Sequence, residues 1–390
     1  MINIVLPIGG KATRFVEEGY MAPKPLIMVQ DKHMIDWAMD SIDIKNCRLI
    51  FVVRKDHVNS HSIDKILFDK FNNGSTMVDV IVENPNPNGR GALWGCMAAK
   101  DLINNNDPLF VYTPDVFFQP KFEPSVVVNS NVDGYLLCFK ANNPAHSYVQ
   151  LDSKYKVIKT AEKEVISENA AVGLYYFKRG STFLKYAQEM IDKNITVNNE
   201  FYICPMYNLM IRDDSTITIS HVDKMHVLGT AKDLRFFTSN VLKKFGNKPI
   251  ALCCDHSGFR LKEIMKIHLN LNNISVIDFG TYTNIDCDHY DFLFPAVKHI
   301  NDGFCDFGMG FCRTGQAFNI AANKQKGIRS ALVSDIKTAE YAVRHNCANF
   351  FCMSEDGMKE EMLDDIINIL RHSTFDGGRH ANRIMKIEGE

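Results

Sequence analysis

Ile2-Asn3-Ile4-Val5-Leu6-Pro7-Ile8-Gly9-Gly10-Lys11-Ala12-Thr13-Arg14-Phe15 is the stretch on which the fold turns. Ile2 to Ile8 is apolar without alternation, the pattern of a strand buried on both faces. Similar runs recur at Leu49–Val53, Val78–Val82, Leu109–Thr113 and Tyr135–Phe139. Helical patterns lie between several of them, as in Gly91–Ile103, where Leu93, Met97 and Ile103 stand among alanines. Strands alternating with helices predict an α/β fold whose parallel sheet is covered on both faces.

Further along, Lys243-Lys244-Phe245-Gly246-Asn247-Lys248-Pro249 combines charge with Gly and Pro, the composition of a helix end and a linker. A second cycle of buried-type runs then begins at Ile250–Cys254 and continues through Ser275–Phe279, Phe307–Phe311, Ser330–Val333 and Asn349–Met353. Its clearest helical stripe is Met358–Leu370. The reading is two doubly wound α/β domains, residues 1–245 and 249–390, with Rossmann-like sheets.

The 390 residues are ample for two cores. Forty-four Lys+Arg against forty-six Asp+Glu give a net charge of -2, which argues against a nucleic-acid binder. No apolar run reaches the length of a membrane span and the start has no leader pattern, so a cytoplasmic enzyme without membrane attachment is expected. Eleven irregularly spaced cysteines fit reduced thiols better than a disulfide framework, and none has zinc-finger spacing.

Glycines directly after a buried strand let backbone N–H groups turn toward an anion that a Cβ would hold away. Arg14 and Lys24 add full positive charge suited to a triphosphate. The P-loop order is absent, as is G-x-G-x-x-G, and a glycine pair after a strand reads by itself equally well as a tight turn.

The spacing of Gly9-Gly10, Arg14 and Pro23-Lys24-Pro25 resembles the signature of sugar-phosphate nucleotidyltransferases, which condense an NTP with a sugar 1-phosphate and release pyrophosphate. Further matches follow in that family's order over residues 1–240: Asn88-Gly89-Arg90-Gly91, Thr113-Pro114-Asp115, Glu162-Lys163, Val172-Gly173-Leu174-Tyr175, Asn199-Glu200-Phe201-Tyr202 and Leu228-Gly229-Thr230-Ala231-Lys232-Asp233-Leu234. The resemblance implies that Gly9, Gly10, Gly89 and Gly91 receive the nucleotide and that Arg14 and Lys24 act on its phosphates. It likewise implies that Asp115 holds Mg²⁺ and that Glu162, Lys163 and Gly173 hold the sugar phosphate. In-line attack on the α-phosphorus is mostly positioning and charge neutralisation, which is what cationic and carboxylate groups supply. Two positions depart from the family. Val227 stands where a second metal-binding Asp is usual, so that either Asp223 or His226 substitutes or one carboxylate suffices. Arg90 replaces a small hydroxyl residue in the base turn and leaves the base open.

From residue 249 onward the chain resembles the RpiB/LacAB sugar-phosphate isomerases, which work without a metal. The matching stretches are Cys254-Asp255-His256-Ser257-Gly258, Ile277-Asp278-Phe279-Gly280-Thr281, Cys312-Arg313-Thr314-Gly315, Arg344-His345-Asn346 and Asp376-Gly377-Gly378-Arg379-His380 to Arg383. The resemblance implies a Cys312 thiolate as base, Thr314 facing the enediolate, and His345 opening the ring. Asp255, His256 and Asn346 would touch the sugar, Arg379 and Arg383 would grip its phosphate, and each site would be shared across a homodimer. The family's Cys-Gly-Thr-Gly-x-Gly has become Cys312-Arg313-Thr314-Gly315-Gln316-Ala317, which puts turnover in question because two glycines of the anion nest are gone. Asn319 also replaces a small residue, and Asp288-His289-Tyr290 stands for Asp-Tyr-Pro.

A bifunctional sugar-nucleotide enzyme is therefore expected, taking an NTP and a sugar phosphate and serving, by family analogy, polysaccharide biosynthesis. The rival reading makes the C-terminal domain a non-catalytic dimerisation or phosphosugar-sensing module.

Overall fold

The computed structural model describes residues 1–84, 91–242 and 248–388. It divides into two compact units, Met1–Phe237 and Thr238–Glu390. The division falls ahead of the expected linker, of which residues 243–247 lie outside the described residues. All eleven cysteines are free thiols. Among the described residues no helix is long and apolar enough to cross a membrane.

In the first unit the strands used below are β1 (Ile2–Pro7), β2 (Cys47–Arg54), β3 (Met77–Glu83), β4 (Leu109–Tyr112), β5 (Val116–Gln119), β6 (Gly134–Lys140), β7 (Ser147–Leu151), β8 (Val157–Glu162), β9 (Asn169–Phe177), β10 (Ile217–His221) and β11 (Lys224–Val227). One nine-stranded sheet runs β8-β7-β9-β4-β1-β2-β3, with β6 paired to β9 and β10 to β6. Strands β3, β2, β1 and β4 are mutually parallel. Alternate residues of β1 enter opposite cores, Ile4 and Leu6 on one face and Val5 on the other, which is why the run shows no polar alternation.

Beyond β4 the expectation of a parallel sheet gives way to a mixed one, because β9 pairs antiparallel with β4. Strands β6 to β9 succeed one another through short loops, and strands joined without a crossover helix pair antiparallel. Leu174–Phe177 pair with β4, while Asn169–Ala171 run past its end, where Ala170 pairs with β7; β6 pairs along the other edge of β9. That overhang brings the end of β8, with Glu162, back toward the exit of β4. The helix expected over Gly91–Ile103 is two pieces, Ala92–Met97 and Lys100–Ile103, interrupted at Ala98-Ala99. Strands β5 and β11 form a separate antiparallel ribbon.

The second unit has β12 (Ile250–Cys254), β13 (Val276–Asp278), β14 (Gly308–Cys312), β15 (Ser330–Leu332) and β16 (Phe350–Ser354), all parallel, in the order β13-β12-β14-β16-β15. Ile250, Leu252 and Cys254 enter one core while Ala251 and Cys253 enter the other. The chain steps outward from β12 to β13 and returns to β14 on the far side. Ligands of such sheets bind at that switch point, outside the strands' carboxyl ends. The helix expected over Met358–Leu370 begins later, as Leu363–His372 after a single 3₁₀ turn.

A buried ion pair secures the switch point. Lys262, wholly buried in the helix Phe259–Leu271, donates to both oxygens of Asp278 at 2.6 and 2.7 Å and to the Thr281 carbonyl at 2.9 Å. Burial alone would push the Asp278 carboxyl up, but hydrogen bonds from Lys262, Lys266 and the Gly280 N–H hold it below the usual range. Thr281 N–H in turn donates to the Cys254 carbonyl, fixing the exit that carries Asp255. Lys262→Met strands a carboxylate that Lys266 only partly compensates, so unfolding by urea is expected to show a loss of about 2–4 kcal/mol. An unchanged midpoint would mean that the pair contributes nothing net.

Candidate active sites

In the first unit a cleft of about 1020 Å³ opens at the carboxyl ends of the parallel strands, lined by Gly9–Phe15, Lys24, Arg54, Glu83, Gly91, Trp94, Thr113–Asp115 and Asn198–Glu200, with Gly229. Gly9 stands against Glu83 where β1 exits, so that a Cβ there would come within 2.6 Å of Glu83 Oε1 and displace that side chain, whereas Gly10 faces open space. Ala12 follows in the left-handed region at φ 50, the kind of local strain that persists where a loop is over-determined. Gly91, at φ 84, lies so close to Phe201 that a Cβ would meet its carbonyl oxygen at 2.4 Å. Gly89 and Arg90 lie outside the described residues.

Lys24 and Asp115 meet, Nζ to Oδ2 at 3.4 Å, with 22% and 44% of their side chains exposed. Asp115 is held by its main chain: its N–H donates to Thr113 and its carbonyl accepts from Leu228. Gly173 acts on the same turn from behind, since at φ 91 a Cβ would lie 2.3 Å from Thr113 Oγ1. It stands outside the cleft lining, as do Glu162 and Lys163. Lys163 reaches the rim through Tyr202, donating at 2.6 Å to a hydroxyl that itself donates to Glu200. Burial raises both the Glu162 carboxyl and the Tyr202 hydroxyl, and Arg14 is near enough to oppose the latter.

Neither substitute for the missing metal-site Asp holds. His226 is buried and stacked on Phe117 at 6.1 Å, with Phe237 at 5.6 Å, and burial lowers its pKa to about 3. Asp223 sits at the far end of the β5–β11 ribbon, bonded through its N–H to Gln119, whereas Val227 pairs beside Asp115 with Val116. The carboxylate that does face Asp115 is Asp233, which lies in the matched Leu228–Leu234 stretch but was given no role there. A Cβ on Gly229 would lie 3.7 Å from Asp115 Oδ2 and 3.8 Å from Asp233 Oδ2. Asp233 also closes its helix by accepting from the Thr230 N–H and hydroxyl, and burial raises its pKa. The signal was present as a Thr230-x-x-Asp233 capping box, and the oxygen that caps the helix, Oδ2, is also the one nearest Gly229.

In the second unit the turn after β12 lies directly on the end of β14. A Cβ on Gly258 would meet the Phe311 carbonyl at 2.3 Å and Cys312 N at 2.6 Å, and Asp255 N–H donates to Phe311. Asp255, His256, Cys312 and Thr314 are thereby brought to one strand edge. Asp255 Oδ1 accepts from the N–H groups of Ser257 and Gly258, and His256 Nδ1 lies 3.2 Å from Asp286. Cys312 is 3% exposed.

The altered loop is not strained. Arg313 and Ala317 are absent from the residues at positive φ, and Ala317 lies inside the helix Gln316–Asn323. Gly315, which the chain keeps, is the one that needs to be glycine: its φ is 75 and a Cβ would strike Leu332 at 2.4 Å. The two lost glycines therefore cost no backbone energy.

The remaining predicted residues are not beside Cys312. Cys312 pairs in register with Ser354, the last residue of β16, while His345 and Asn346 precede that strand's first residue, Phe350. The strand's length puts about 13 Å between the two edges. At this other edge His345 stacks on His380 at 4.4 Å and on Tyr341 at 4.5 Å. Asp376, 3.7 Å from His345 Nε2, is clamped by Arg344. Burial first, then the charges of His345, Arg379 and Arg383, lower the His380 pKa to about 4. Arg379 and Arg383 occupy one face of the helix Arg379–Ile387 without a carboxylate partner among the described residues, the arrangement of an anion site.

Comparison with known proteins matches residues 2–202 to the nucleotidyl transferase family model and residues 250–387 to the ribose/galactose isomerase model. The second stretch is 37% identical over 143 residues to a probable ribose-5-phosphate isomerase B of Mycoplasma pneumoniae, covering 36% of this chain and 93% of that protein. It is 32% identical to the ribose-5-phosphate isomerase B of Escherichia coli, covering 36% and 94%. The fold of the first unit is shared with a nucleoside-diphosphate-sugar pyrophosphorylase structure from Vibrio cholerae, at 22% identity and a TM-score of 0.50, covering 60% of this chain and 99% of that one.

Proposed function

The chain belongs to the nucleotidyl transferase family and carries a ribose/galactose isomerase domain, and from that premise we propose a bifunctional enzyme of sugar-nucleotide synthesis. The first unit transfers a nucleotidyl group from an NTP to a sugar phosphate and releases pyrophosphate. The observation that carries this is the Lys24–Asp115 contact at the floor of a cleft entered by the Gly9–Arg14 loop. Lys24 and Arg14 hold the triphosphate and neutralise charge gathering on the leaving pyrophosphate. Lys163, released from Tyr202, takes the acceptor phosphate and sets its oxygen in line.

The donor set suits Mg²⁺, which commonly takes one or two carboxylates and completes its shell with phosphates and water. Asp115 would hold it directly, with Asp233 opposite; bound there, the ion supplies charge neutralisation at the phosphates. Asp115→Asn is expected to lower pyrophosphate release and to regain part of it at raised Mg²⁺ or Mn²⁺. A wild-type reaction untouched by chelator would remove the metal role. The broader test is pyrophosphate release over a panel of NTPs and sugar 1-phosphates.

The second unit interconverts an aldose and a ketose phosphate. Cys312 removes the proton beside the carbonyl, and Thr314 with its neighbouring N–H groups meets the enediolate oxygens. His345, Arg379 and Arg383 lie at the opposite sheet edge of their own chain, which favours a homodimer in which a second copy supplies ring opening and the phosphate grip. The unstrained Arg313 and Ala317 favour turnover over the sensing-module reading.

A further inference from the structure

In the first unit, the strand order places the parts of a nucleotide sugar along a line. Lys24 and Asp115 mark the phosphates where β1 and β4 exit, and Lys163 with Tyr202 lies to the β9 side. The nucleoside is left the β2–β3 side, where the cleft is lined by Arg54, Glu83, Gly91 and Trp94.

Two side chains there have unused hydrogen-bonding capacity. Glu83, the last residue of β3, is half-buried, and among the described residues its carboxylate accepts no hydrogen bond. Burial pushes its pKa up while Arg54 pulls it down. Arg54, the last residue of β2, donates Nε and Nη2 to Asp56 at 2.9 and 2.6 Å, which fixes the guanidinium plane and leaves Nη1 without an acceptor among the described residues. Both flank Gly9: its Cβ would lie 2.6 Å from Glu83 Oε1 and 3.4 Å from Arg54 Cγ. An acceptor-only carboxylate thus stands beside a tethered donor at the nucleoside end of the cleft.

We propose that Glu83, with Arg54, reads the Watson–Crick edge of the nucleobase and directs the transferase to GTP. Guanine presents two adjacent donors, N1–H and the 2-amino group, which one carboxylate accepts in parallel, next to a carbonyl O6 for the arginine. Uracil and thymine offer one N–H between two carbonyls that a carboxylate repels. Adenine and cytosine offer one amino donor next to a ring lone pair, so one of the two carboxylate contacts is lost. The inference rests on the transferase reading given above.

Calorimetric titration of the full chain with GTP, UTP, CTP and ATP in Mg²⁺ tests it. GTP is expected to bind about 10- to 100-fold more tightly than UTP. In Glu83→Gln, an isosteric change at a half-exposed position, the amide offers a donor and an acceptor, so GTP should weaken by about the same factor while UTP tightens. Preference for another nucleotide in the wild type, or a ranking unchanged in Glu83→Gln, overturns the role of Glu83 and leaves the transferase intact. Failure of all four nucleotides to bind removes the transferase reading itself, and this one with it.

Discussion

Lys24→Ala is expected to slow pyrophosphate release by about 10²–10³-fold, or ~3–4 kcal/mol of transition-state stabilisation, with the fold retained. The two halves of that expectation have separate causes. Lys24 is 22% exposed and its one ion pair is to a carboxylate 44% exposed, so the pair adds little to stability. Its ammonium nevertheless lines the cleft, where charge develops on the leaving phosphates. The loss should therefore appear mainly in kcat, with a smaller change in KM, and thermal unfolding should be unmoved. Because the Asp115 carboxylate loses its counter-charge in the variant, the requirement for added Mg²⁺ should shift as well. Pyrophosphate release at the wild-type rate in Lys24→Ala would falsify the assignment of the cleft.

What the sequence made legible follows from where the information is local. Apolar runs specify strands buried on both faces, so β1, β2, β4, β12 and β14 could be read within a residue or two of their ends. Glycines at 91, 173, 258 and 315 are dictated by backbone approach or positive φ, and their surroundings explain each one. Pairing direction is not local. That β9 runs antiparallel to β4 depends on how the intervening strands connect. Asp233 was given no role because it reads as a helix cap, and only folding brings its capping oxygen beside Gly229 and Asp115. The doubt over Arg313 and Ala317 came from counting glycines without knowing φ; the loop needs glycine at 315 alone. Cys312 and His345 were paired by chemistry, and register separated them to opposite ends of β16.

That separation makes the expectation for the second unit sharper. Cys312→Ala removes the proton-abstracting group, and exchange of the substrate's C–H with D₂O is expected to fall by about 10²–10⁴-fold or more, with nucleotidyl transfer unchanged. Exchange is the better readout than net isomerisation, since it registers proton removal even when ring opening or product release is slow. His345→Ala should lower the same exchange when the substrate enters as a closed ring. If each site joins Cys312 of one copy to His345 of another, the two inactive variants complement. Random mixing gives heterodimers in half the population, each with one intact site of two, so exchange should return to about a quarter of the wild-type rate in a two-fold symmetric dimer. A site built within one chain yields no recovery, because every copy then lacks one of its two groups. No exchange by the wild type with any pentose or hexose phosphate that it measurably binds would return the domain to phosphosugar sensing.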